Sequence, residues 1–170
     1  MRHTLWFMVF MLLVAGIATG QQTGITIYDP SADAKKDIAV AVHKAKTDDR
    51  NVLLIIGGKW CPWCMKLERF LKHDPPLDSL LHADYEVVHV NYSRENKNLG
   101  LLRALDLPQR FGFPVIVILN REGKRIHTQN TAYLESDQNY DRKKLEDFFN
   151  EWSVKALDPK SYKEYQEGSK

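Results

Sequence analysis

Val52-Leu53-Leu54-Ile55-Ile56-Gly57-Gly58-Lys59-Trp60-Cys61-Pro62-Trp63-Cys64 carries the only two cysteines of the chain, three positions apart, directly after an apolar run. Val52 to Ile56 is short and apolar at every position, the pattern of a strand covered on both faces of its sheet. Gly57 and Gly58 end it, and Pro62 suits the first turn of a helix, where its fixed φ fits and its missing N–H costs no bond. A strand emptying into a helix puts Cys61 at the helix N-terminus, where unpaired amide N–H groups and aligned peptide dipoles favour a thiolate. Cys64, one turn on, faces inward and is the natural partner for closing a disulfide after Cys61 has attacked a substrate. A reversible disulfide is the chemistry this arrangement predicts.

Other uses of a cysteine pair fit less well. A structural zinc site normally takes four ligands, and no second Cys or His pair stands at short spacing. A staple between positions so close removes little loop entropy from the unfolded chain. Two inert buried thiols would leave the flanking tryptophans and the proline without a reason. His43, His73, His82, His89 and His127 show no ligand spacing, so no metal and no cofactor is expected.

Residues 1–20 read as a cleaved export signal: Arg2 gives the positive start, Leu5 to Ala18 the apolar stretch, and Ala18-Thr19-Gly20 the small residues before cleavage. The stretch is short for a membrane span, although a retained anchor is the competing reading. A periplasmic or secreted location follows. An exported chain with one cysteine pair uses its disulfide for something other than stapling. Residues 21–153 make up one domain, and 154–170 form a polar tail. The formal net charge of +2, with Lys and acidic residues interspersed, gives no electrostatic case for nucleic acid.

Tyr28-Asp29-Pro30-Ser31 is a turn before a helix capped by Ser31 or Asp33, with Ile38, Ala41, Val42 and Ala45 on one face. After the cysteines, Leu67, Phe70 and Leu71 continue a helical stripe that Pro75-Pro76 stops. Strands are expected at Tyr85 to Asn91, Val115 to Leu119 and, after the turn Asn120 to Gly123, around Lys124 to Thr128. Asp141 caps a final helix with Leu145, Phe148, Phe149 and Trp152 on its apolar face. Alternating helices and strands, followed by a hairpin, give an α/β fold with a central mixed sheet and helices on both faces.

With Trp60-Cys61-Pro62-Trp63-Cys64 at the strand-to-helix junction and Gly112-Phe113-Pro114 before the hairpin, the chain resembles the thioredoxin superfamily from Tyr28 to Trp152. The flanking Tyr28-Asp29-Pro30 and Val90-Asn91-Tyr92-Ser93 are similar to those of exported bacterial members. The resemblance implies a thioredoxin-like fold and a thiol–disulfide oxidoreductase acting on protein dithiols and disulfides, monomeric, with an upstream exported or membrane redox partner. It implies that Pro114 is cis and faces Cys61, exposing the Phe113 backbone to a substrate strand. Trp60, Pro62 and Trp63 complete the expected substrate contacts, with Trp63 the more solvent-facing tryptophan, and Lys59 is expected to lower the Cys61 pKa. Ile55 departs from the family, which often carries a buried aspartate there. Glu68 is read as a solvent-facing residue rather than its substitute. The favoured direction is reduction, against an oxidant or isomerase. The alternative without turnover is a binding or copper-handling module using both thiolates with Met65 nearby.

Overall fold

The computed structural model describes residues 27–166. Its organising strand is β1 (Asn51–Gly57), buried at every position and paired on both edges. β2 (Tyr85–Asn91) runs parallel to it, and β3 (Val115–Leu119) antiparallel, with β4 (Arg125–Asn130) at the outer edge, in the order β2-β1-β3-β4. Alternation along the strands divides the core in two. Leu53, Ile55, Ile116 and Ile118 join one apolar cluster, and Val52, Leu54, Ile56, Val115, Val117 and Leu119 join the other.

Helices cover both faces. On the second cluster lie α1 (Ala34–Asp48), through Ala41 and Ala45, and α4 (Leu99–Ala104), through Leu101 and Leu102. On the first lie α2 (Pro62–Lys72), α3 (Pro75–Asp84) and α5 (Arg142–Glu151), contributing Leu67, Leu71, Leu77, Leu81, Leu145 and Phe149. The caps match the sequence: the Asp33 carboxylate accepts from the N–H groups of Lys35 and Lys36, and Asp141 accepts from Lys144. The result is the expected α/β fold with a mixed sheet between helical layers.

Helix α3 departs from the expectation. Pro75-Pro76 ends nothing; it starts a new helix, because proline is at home in a first turn and the Asp74 carboxylate caps it by accepting from Leu77 N–H at 3.1 Å. At the C-terminal end, residues 154–166 coil into short helical turns, including α6 (Val154–Leu157) and α7 (Lys163–Gln166). Ser153 caps α6 and the Tyr162 hydroxyl donates to Ala156 O at 2.7 Å. A small hairpin of β5 (Glu135–Ser136) and β6 (Asn139–Tyr140), absent from the sequence reading, packs Tyr140 against α2. The segment 1–20 lies outside the described residues.

Three tyrosines are built into the first cluster. Tyr85 donates from its buried hydroxyl to Phe149 O at 2.7 Å, while Tyr28 and Tyr140 pack around α2. Burial foremost pushes all three phenols above the ordinary value of 10.0. A folded state that holds these protons more tightly than the unfolded chain loses stability as pH rises past that ordinary value. Denaturant unfolding followed between pH 8 and pH 11 is therefore expected to show a flat stability up to about pH 10 and a steep fall beyond it. Spectroscopic titration should find three tyrosines that ionise only as the protein unfolds.

Candidate active site

Strand β1 delivers the chain to the cysteines through Gly57 and Gly58, and both positions exclude a side chain. A Cβ on Gly57 would stand 2.5 Å from Cys64 Sγ, and one on Gly58 would strike the Trp60 indole nitrogen. Cys61 then takes the N-cap position of α2, with extended backbone. Its sulfur accepts the Cys64 N–H at 3.1 Å, doing for the helix what a serine or aspartate cap does elsewhere. No acidic residue sits in the first turn of α2, and Arg69 and Lys72 occupy its last, so the positive end of the helix dipole is left to the sulfur.

Cys61 and Cys64 are joined as a disulfide, with Cα atoms 5.2 Å apart. Cys64 is wholly buried. Cys61 is only 4% accessible, with the Phe113 segment against it, yet it is the less buried of the two residues. Facing it is the Phe113–Pro114 peptide, which is cis, with the Phe113 carbonyl oxygen 3.5 Å from Cys61 Sγ. The buried Thr131 hydroxyl donates to Pro114 O at 2.6 Å, and Gly112 reaches the turn through a φ of 87° that an L side chain rarely adopts. The loop is thereby held against the cysteines.

The two tryptophans exchange the places expected of them. Trp60 is 56% exposed, donates its indole N–H to Tyr92 O at 2.6 Å and meets Phe113 edge-on, with Tyr92 completing the aromatic cluster. Trp63 is half-buried: it packs edge-on against Tyr140, and the Lys66 ammonium lies 4.0 Å from its ring centroid. The hairpin that carries Tyr140 is what draws it in. Pro62 is exposed at the helix start. Lys59 is also exposed, and its charge acts on Asp29, whose carboxyl is held low first by the Ser31 hydroxyl, then by the Ser31 N–H, and only last by Lys59.

Glu68 corrects the sequence reading most clearly. Rather than facing solvent, its side chain is 12% accessible and its carboxylate lies 2.6 Å from His89 Nε2. His89 stands on β2 in register with Ile55, and its ring meets Tyr28 edge-on at 5.5 Å. Behind the disulfide lies a polar group of Tyr28, Glu68 and His89, none of which the sequence reading assigned to the site. Glu68 was findable from its place four residues after Cys64, on the same helix face. Tyr28 is far from the cysteines in sequence and gave no spacing signal. Among the described residues no three His, Cys, Asp or Glu side chains gather as metal ligands, and no helix is long and apolar enough to cross a membrane.

This is a thioredoxin-like architecture: a mixed sheet between helices, a redox cysteine pair opening a helix at the end of the central strand, and a cis-proline loop across from it. A family profile described as Thioredoxin-like matches residues 33–121, a stretch that includes both cysteines and Pro114, and the chain belongs to that family. Among solved structures it is similar to a disulphide isomerase from Xylella fastidiosa Temecula1, at 26% identity and a TM-score of 0.65, over 75% of this chain and 97% of that one. A weaker likeness is to Trxlp from Edwardsiella tarda EIB202, at 20% identity and a TM-score of 0.43, over 71% of this chain and 95% of that one. No curated protein sequence matches. Family and cysteine pair together make the chain a thioredoxin-like thiol–disulfide oxidoreductase.

The glycine at the strand end offers a direct check on this geometry. Gly57→Ala forces a methyl group into Cys64 Sγ, and overpacking of this kind costs about 1–3 kcal/mol. Urea denaturation of the oxidised protein should register that loss.

Proposed function

We propose that this chain is an exported oxidoreductase that exchanges disulfides with protein substrates through Cys61 and Cys64, working towards reduction or interchange. The observation that carries the proposal is the Cys64 N–H bonded to Cys61 Sγ at the capped end of α2, beside the Phe113–Pro114 loop. In the dithiol form the Cys61 thiolate attacks a substrate disulfide, one substrate sulfur leaves as a thiolate, and a mixed disulfide forms. Cys64, deprotonated, then attacks Cys61 Sγ, the second substrate sulfur leaves, and the enzyme disulfide closes. An upstream exported or membrane reductant resets the pair.

Trp60, Phe113 and Pro114 form the substrate wall in this proposal, with Pro62 and the accessible part of Trp63 at its edge. Direction follows from how weakly the Cys61 thiolate is held. One N–H and a helix terminus favour it, whereas the Phe113 carbonyl oxygen turns negative density towards it, and exposed Lys59 adds little. A modestly stabilised thiolate leaves the disulfide form favoured, as a reductant requires. Export rests on the composition of residues 1–20, with cleavage after Gly20, a domain over 21–153 and a C-terminal tail over 154–170.

Catalysed reduction of insulin by the mature protein, with dithiothreitol as the electron source, tests the activity. Turnover is expected, with loss of at least a hundredfold in Cys61→Ser, on the order of the contribution of a covalent or acid–base group. The Cys64→Ser variant should accumulate mixed disulfides through Cys61. Equilibration with glutathione reads the direction: a potential near the ≈ −270 mV of thioredoxin fits a reductant, and one near ≈ −120 mV makes the protein an oxidant.

A further inference from the structure

Tyr28 is the buried residue behind the disulfide whose hydroxyl has no visible task. It is 1% exposed, packs in the same apolar cluster as Cys64, Ile55 and Leu67, and holds a φ of 56°, a region that bulky L residues seldom enter. Its hydroxyl and Gln109 Oε1 are the two buried side-chain polar atoms without a hydrogen-bond partner among the described residues. A buried hydroxyl left unpaired costs free energy, so a partner in another state of the protein is the first thing to seek.

That partner is close by. The point where a Cβ on Gly57 would stand is 2.5 Å from Cys64 Sγ and 3.3 Å from Tyr28 Oη, so the sulfur and the hydroxyl crowd the same side of one glycine. A disulfide sulfur is a poor acceptor, whereas a thiolate is a strong, charged one. We infer that the Tyr28 hydroxyl donates a hydrogen bond to the Cys64 thiolate that forms when the disulfide is opened. The inference rests on the reading of Cys61 as the sulfur that substrates and reductants attack. An incoming thiolate bonds to Cys61 Sγ, the Cys61–Cys64 bond breaks, and its electron pair goes to Cys64 Sγ. One thiolate enters and one is formed, so charge balances and the proton stays on the tyrosine oxygen.

The surroundings keep Tyr28 a donor. Burial first, then the Glu68 charge from α2 and Tyr140 from β6, raise its pKa well above the ordinary value. From β2, His89 faces the Tyr28 ring edge-on and is bonded to Glu68. Among the described residues these are the groups that bear on Tyr28, and its raised pKa keeps the hydroxyl as O–H at neutral pH. Its effect is to favour the reduced pair and to ease departure of Cys64 from the disulfide.

The test is Tyr28→Phe, which keeps the ring and removes the donor. Equilibrated with glutathione, the variant is expected to hold its dithiol form about tenfold less favourably than the wild type, a potential lower by about 30 mV. Thermal unfolding of each redox form should show the reduced form losing stability relative to the oxidised one. An unchanged equilibrium, or equal shifts of both forms, would mean that the ring only packs and overturns the assignment. Should the variant misfold, NMR of the wild type decides: exchange of the Tyr28 hydroxyl proton with water should slow on reduction, and equal or faster exchange overturns the assignment. A wild-type pair that never equilibrates with glutathione overturns the oxidoreductase reading as well, whereas normal equilibration with an unshifted variant overturns Tyr28 alone.

Discussion

Everything near the cysteines depends on β1 being buried on both faces and paired on both edges. A strand in that position has no freedom to slide, since a one-residue slip would carry Leu53 and Ile55 into the wrong cluster. Its last residue is therefore a fixed point, and the chain must leave the sheet there without side chains in the way. Gly57 and Gly58 meet that condition because a Cβ at either would strike Cys64 or Trp60. The helix that follows needs its free N–H groups satisfied, and Cys61 Sγ satisfies one of them. One hydrogen bond thus serves as helix cap and as the local field on the sulfur, which ties redox state to the stability of the first turn.

The second constraint comes from across the sheet. β3 pairs antiparallel with β1, bringing Val115 opposite Ile56 and so placing Pro114 and Phe113 beside the cysteines. Thr131, from the turn after β4, grips the Pro114 carbonyl, so the outer hairpin strand also fixes the loop. The aromatic cluster of Trp60, Phe113 and Tyr92 then bridges the ends of three segments that meet only through the sheet.

What could be read before the structure was whatever repeats locally. The apolar run of β1, the period of α1 and α5, and the strands at 85–91 and 115–119 all follow from side-chain alternation and caps within a few residues. The cysteine pair was legible for the same reason. What escaped depended on contacts between distant segments. Pro75-Pro76 reads equally as a stop or a start, and only the Asp74 cap decides it. Trp63 turns inward because a two-residue hairpin carries Tyr140 to it, and Glu68 turns inward because β2 places His89 in reach. Tyr28 joins the site through a backbone conformation that no sequence pattern announces.

The two sulfurs end up in different electrostatic surroundings, and the difference has a direction. Cys61 sits where one N–H and the helix terminus meet it, with a carbonyl oxygen opposing them. Cys64 lies in an apolar shell, where a bare thiolate is disfavoured by loss of solvation. Exposed groups such as Lys59 act on both sulfurs weakly and are screened by salt. Buried groups act strongly because the dielectric around them is low. On the proposed mechanism the potential of the pair is therefore set at both sulfurs, by the cap and the opposing carbonyl at Cys61 and by what meets Cys64 in the core. Exposed side chains such as Lys59 add little to that balance, because solvent screens them.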